Sequence, residues 1–194
     1  MSTLNPSPRS TPHDAAELES VLSAIRKAAG EAWVYLDPCA LEEEVADWER
    51  VHCVRLPEAY RRFLLEIGAG GEGPPEFGLW SLECQDPRDA EAFRGAFLER
   101  ELQNSFPFEA AWRWTPDEER AYQEGCPELR ERVRLRDVGT LTLGTDGETV
   151  FWHLIVTGPA RGQVWWSDGL SALEPRATDF LSWYQDWLSE AKRH

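Results

Sequence analysis

Cysteine, lysine and methionine are scarce in this 194-residue chain, and long apolar runs are missing altogether. The four cysteines, Cys39, Cys53, Cys84 and Cys126, stand far apart without a C-x-x-C pair. Structural zinc sites take paired ligands at short spacing, so this pattern gives no metal site and calls for no cofactor. The same cysteines read most simply as reduced cytosolic thiols. Nowhere do about 18 apolar residues run together, the length a membrane span needs. The opening MSTLNPSPRSTPHD has no charged stretch leading into an apolar one and does not read as a signal peptide. The expected location is therefore the cytoplasm. Lysine occurs only as Lys27 and Lys192, and we attach no function to the preference for arginine.

Negative charge is abundant. Thirty-five Asp and Glu face twenty Lys and Arg, a formal net charge of −15. Such a field repels nucleic-acid phosphates and anionic lipid headgroups, so neither is an expected partner. It favours a cationic protein surface, and it also keeps a protein dispersed with no partner at all. Hydrophobic residues make up 42% of the chain, enough for a real core, and ten tryptophans supply large rings to fill it. The length fits one domain, expected over 15–194, behind a Ser/Pro/Thr-rich tail at 1–14 expected to be disordered.

Catalytic signatures fail on context. Gly68-x-Gly70-x-x-Gly73 matches the dinucleotide fingerprint by letter. That fingerprint must follow a strand and open a helix, whereas this one follows a helix and runs into Pro74-Pro75. There is no Gly-x-Ser-x-Gly elbow. His153 is the one histidine in an expected strand and reads as a packed or edge residue. Carboxylate pairs are inevitable in so acidic a chain, and none stands out for acid–base work. No enzyme is expected.

Periodicity outlines the elements. Leu18, Val21, Leu22, Ile25 and Ala29 follow helical spacing up to Gly30. A second helix begins near Leu41, with Leu41, Val45 and Trp48 inward and Glu42, Glu43, Glu44, Asp47 and Glu49 outward. Pro57 suits the first turn of a third helix, whose stripe is Tyr60, Phe63, Leu64 and Ile67. Residues 77–82 read as a strand and 89–101 as a helix with Phe93, Ala96 and Phe97 on one side. Thr115 and Glu118 form a capping box for a helix over 117–124. Strands follow at 138–143, 149–156 and 163–167, the first two joined through Asp146-Gly147. Trp165 and Trp166 point to opposite faces of theirs, so either one is exposed or a helix covers the second face. Phe180, Leu181, Tyr184, Trp187 and Leu188 mark a closing helix capped by Thr178 or Asp179. The fold class is α+β: N-terminal helices, a mostly antiparallel twisted sheet and a C-terminal helix.

Several of these segments, in this order, resemble the SUKH superfamily of Smi/Knr-like domains from about residue 41 to 188. Leu56-Pro57-Glu58-Ala59-Tyr60-Arg61-Arg62-Phe63-Leu64 is similar to its signature of Leu-Pro, an acid, Tyr, basic residues and an apolar pair. Gly70-Gly71 matches its glycine pair and Phe77-Gly78-Leu79-Trp80 the segment after it. The run from Leu154 to Trp165 resembles the strand–turn–strand of bacterial members, and Phe180 to Leu188 their closing helix. Ile67-Gly68-Ala69 departs from the pattern, where Asn often precedes the glycines.

The resemblance implies a non-enzymatic α+β protein. Many bacterial members are immunity proteins that neutralise toxins of polymorphic toxin systems by binding, much as the antidote does in a toxin–antitoxin pair. Other relatives are adaptors or regulators with a cellular partner and no toxin. The expected partner is a cognate toxin domain with a basic surface, such as a nuclease. For the contact surface we expect Glu72, Glu76, Asp146, Glu148 and Asp168 to gather around glycine-rich turns, with Trp80 or Trp166 as apolar anchor. Each of these carboxylates also has a plain role in solvating its own turn.

Overall fold

The computed structural model describes residues 15–82, 101–147, 149–168 and 171–191. The tail expected at 1–14, nearly all of the helix expected over 89–101, and Glu148 lie outside these residues.

Helix α1, Ala15–Glu31, runs the length its apolar spacing predicts, burying Leu18, Leu22, Ile25 and Ala29. Helix α2, Glu42–Val51, buries Val45 and half-buries Trp48, while Leu41 stays exposed at its N-cap. Glu49, expected outward, is instead buried. Its carboxylate accepts the Leu56 N–H at 2.8 Å and meets Arg61 Nε at 3.5 Å. Burial is tolerated because both oxygens have partners. From the other side Arg161 donates to the Leu56 carbonyl at 2.8 Å. The Leu56-Pro57 turn is thus held at both its N–H and its carbonyl, which sets the start of α3, Glu58–Glu66.

Helix α3 buries Tyr60, Phe63 and Leu64 against α1 and the closing helix α6, Phe180–Ala191. The Phe63 ring meets Phe180 at 4.9 Å and Tyr184 at 4.8 Å, both edge to face. That geometry places the positive edge of one ring on the negative face of another. The Asp179 carboxylate caps α6, accepting the Ser182 N–H at 2.9 Å and its hydroxyl at 2.6 Å.

Five strands form one antiparallel sheet: β1 Trp112–Arg113, β2 Thr140–Thr145, β3 Phe151–Ile155, β4 Val164–Ser167 and β5 Ala172–Ala177, in the order β1-β5-β4-β3-β2. Alternation sends Leu141, Leu143, Leu154 and Val164 into the core shared with α1, α3 and α6. Ile155, Trp165 and Leu173 enter a second core with Phe106, Trp112 and Ala160. Both faces are therefore covered, and every residue of β2 is buried. Helix α4, Pro116–Gln123, has the expected capping box, Thr115 Oγ1 accepting the Glu118 N–H and Glu118 accepting the Thr115 N–H. Helix α5, Pro127–Arg134, follows it.

Residues 77–82 do not form the regular strand expected. They run beside β2, with Phe77 N–H on the Thr145 carbonyl and Trp80 N–H on that of Leu143. Gly78, at φ +80°, breaks the extended geometry between those two bonds.

Candidate functional site

The segment after α1, the glycine loop and residues 77–80 meet as short bridged pieces. Leu36 pairs with Gly71, and Gly71 with Leu79. Glu72 N–H donates to the Tyr35 carbonyl at 2.8 Å, and the Glu72 carboxylate accepts the Tyr35 N–H at 3.0 Å. Gly71 has φ +110°, and a Cβ there would lie 2.6 Å from the Tyr35 oxygen. Only glycine lets these backbones approach so closely. From α6 the Tyr184 hydroxyl donates to the Glu72 carbonyl at 3.0 Å. Burial, with an added push from Glu72, raises the Tyr184 phenol above its ordinary value, so it remains a donor.

These pieces frame an open groove of about 590 Å³, lined by Tyr35, Asp37, Glu72, Pro74, Glu76, Phe77 and Trp187 among others. Tyr35 and Phe77 are each 67% exposed, and Trp187 is half-buried against Tyr184. Among the described residues the lining holds three carboxylates and no cation. Asp37 and Glu76 have neither a hydrogen bond to the carboxylate nor an ion pair among the described residues, and Glu72 has only the Tyr35 N–H. Asp146 stands directly behind Glu76. Its Oδ1 accepts the Glu76 N–H at 2.6 Å and its Oδ2 the Trp152 indole N–H at 2.7 Å. It too has no ion pair among the described residues.

The structure thus brings together Glu72, Glu76 and Asp146 of the expected surface. It places Trp80, Trp166 and Asp168 differently, and Glu148 lies outside the described residues. Trp80 is half-buried beside β2. Trp166 is half-buried opposite Trp152 in the sheet, with the Arg176 guanidinium 4.9 Å above its ring. Asp168 closes the turn from β4 to β5, accepting the N–H groups of Ser171 at 2.8 Å and Ala172 at 2.7 Å. Tyr35, Asp37 and Trp187 line the groove but were not singled out from the sequence. Asp37 has no local motif, and Trp187 lies on an apolar helical stripe that also packs on the core.

Other features offer less. A second depression, lined by Glu42, Glu49, Arg50, Arg55 and Arg61, carries both signs, and most of its charges pair within it. His153 Nε2 lies 2.9 Å from Ser167 Oγ inside the sheet, where both residues are buried. Among the described residues no cluster of His, Cys, Asp or Glu is arranged to hold a metal, and no helix is long and apolar enough to cross a membrane.

Comparison with known proteins gives one match. The family model described as SMI1 / KNR4 family (SUKH-1) matches residues 39–186. No curated protein and no solved structure matches alongside it. The matched span begins just before α2, contains the bridged glycine loop and the whole five-stranded sheet, and ends within α6. The chain belongs to the SMI1 / KNR4 family (SUKH-1).

Proposed function

We propose that this protein is a non-enzymatic binding module of the cytoplasm that neutralises a cognate toxin by covering a basic surface on it. The observation that carries this reading is the groove: exposed aromatic rings beside carboxylates that no cation neutralises among the described residues. Exposed aromatics at a concave site are the residues that most often anchor protein interfaces. Removing the exposed two-thirds of one such ring from water is worth about 3 kcal/mol before the entropy of association is charged against it. The carboxylates add long-range attraction, and with a net charge of −15 they steer a basic partner toward the groove. A nuclease toxin, whose active-site surface is built to hold phosphates, fits this complementarity.

Co-expression tests the reading. The product of the adjacent gene, expressed alone in a sensitive host, should stop growth, and this chain should restore it through a complex that weakens as salt rises. If the adjacent product is harmless and this chain instead retains a cellular protein, the adaptor role replaces the immunity role.

A further inference from the structure

Arginine, aromatic ring and carboxylate occur together twice among the described residues. The Arg176 guanidinium lies 4.9 Å above the Trp166 ring and pairs with Glu174 at 3.3 Å. Arg132 lies 4.9 Å above Trp112 and pairs with Glu118 at 3.1 Å. In each case the cation sits over the ring while an N–H group reaches a carboxylate. The groove has the aromatic and acidic halves of the same arrangement, Tyr35 and Phe77 with Asp37, Glu72 and Glu76, and among the described residues its lining supplies no cation. Most arginines of the described fold are spent elsewhere: Arg26, Arg61, Arg62, Arg113 and Arg134 all hold carboxylates remote from the groove.

We propose that the groove is a receptor for an arginine side chain of the partner. The guanidinium stacks on Phe77 or Tyr35 and donates to Asp37 and Glu76, whose oxygens have no other partner among the described residues. Arginine rather than lysine is the expected occupant, because an ammonium is a more strongly hydrated point charge and cannot stack as a plane. The proposal rests on the binding-module reading and specifies the chemistry that the module recognises.

The test titrates the isotopically labelled full chain with a blocked Gly-Arg-Gly-Arg-Gly peptide, following backbone amide shifts by NMR. Matched peptides carry lysine or citrulline, the latter an uncharged isostere of arginine. Shifts should concentrate at residues 35–37 and 71–79, saturate in the millimolar range with the arginine peptide, be weaker with lysine and vanish with citrulline. Asp37→Asn and Glu76→Gln should each weaken binding roughly three- to tenfold, and Phe77→Ala roughly threefold. Glu43→Gln, on the exposed acidic face of α2, should leave it unchanged. Equal binding of the citrulline peptide, shifts spread evenly over the acidic surface, or an equal loss from Glu43→Gln would overturn the proposal. The same variants in the co-expression assay separate the two readings. A toxin neutralised undiminished by variants that no longer bind the peptide defeats the arginine receptor and leaves immunity standing. Groove-specific peptide binding without any toxin partner defeats immunity and leaves the receptor standing.

Discussion

Asp146 was expected at the partner-binding surface, and the structure gives it a mechanical task whose size can be worked out. It follows β2 at the hairpin turn and ties the groove loop to the sheet through the Glu76 N–H at 2.6 Å and the Trp152 indole at 2.7 Å. Hydrogen bonds to a charged acceptor contribute roughly 1.5–3 kcal/mol each when buried. Asp146 is only half-buried, so water recovers part of this in an Asp146→Ala variant, leaving a cost of about 2–4 kcal/mol. For a chain of this length each kcal/mol moves the melting temperature by roughly 2–4 °C, so a fall of about 5–15 °C is expected. Asp146→Asn should fall about half as far, since one side of the amide still accepts a bond while the other presents a donor to an N–H. Calorimetry measures the total, and hydrogen exchange at the Glu76 amide reads the clamp itself. Melting within about 2 °C of the parent, with Glu76 exchange unchanged, would show that the carboxylate is not holding the loop. Glu76→Gln supplies the contrast. It removes a carboxylate without a partner and leaves the backbone bond in place, so stability should change by no more than about 0.5 kcal/mol.

Leu64, 1% exposed in the main core, should cost about 2–5 kcal/mol when cut to alanine, read as a lower urea midpoint with an unchanged slope. Acid stability should depend on Glu66, whose carboxyl is held below its ordinary value chiefly by the hydrogen bond from Arg62. A depressed carboxyl contributes stability that is complete above its unfolded value, near 4.5, and lost as pH falls through the folded one. Glu66→Gln should therefore be less stable at neutral pH and lose less on acidification. Parallel pH profiles for parent and variant would refute this.

What could be read from the sequence was local. The Thr115–Glu118 capping box needs only residues three apart, and the Asp146-Gly147 turn only two apolar runs around it. Helices α1, α3 and α6 announce themselves through buried stripes. Strand β5 does not: only Ala172 and Leu173 are buried, and Glu174, Pro175 and Arg176 follow. It is a strand because β4 pairs with it on one side and β1 on the other, a reason absent from its own residues. Helix α5 has no fully buried residue. It was invisible to periodicity and is linked by ion pairs such as Arg132 with Glu118.

The groove was half legible for a related reason. Glycine-rich turns pointed to Glu72, Glu76 and Asp146, because turn chemistry is written in neighbouring residues. Whether a carboxylate is available to a partner depends on which distant group reaches it first. Asp168 looks like Glu76 in sequence, an acid in a turn region. It is occupied by the amides of Ser171 and Ala172, and lysine there would break the turn before it reported on binding. Glu49 looks as solvated as its neighbours on α2 and is buried because Leu56 and Arg61 come back to it. In a chain with 35 acids and 20 basic residues most surface charge is anonymous. Folding distinguishes the acids by distributing the arginines, and a recognition surface can form where acids left without one lie beside rings left uncovered. Asp37 and Glu76 are such acids and Tyr35 and Phe77 such rings, which is why the charge-neutralising variants belong there and not at the most acidic stretch of the sequence.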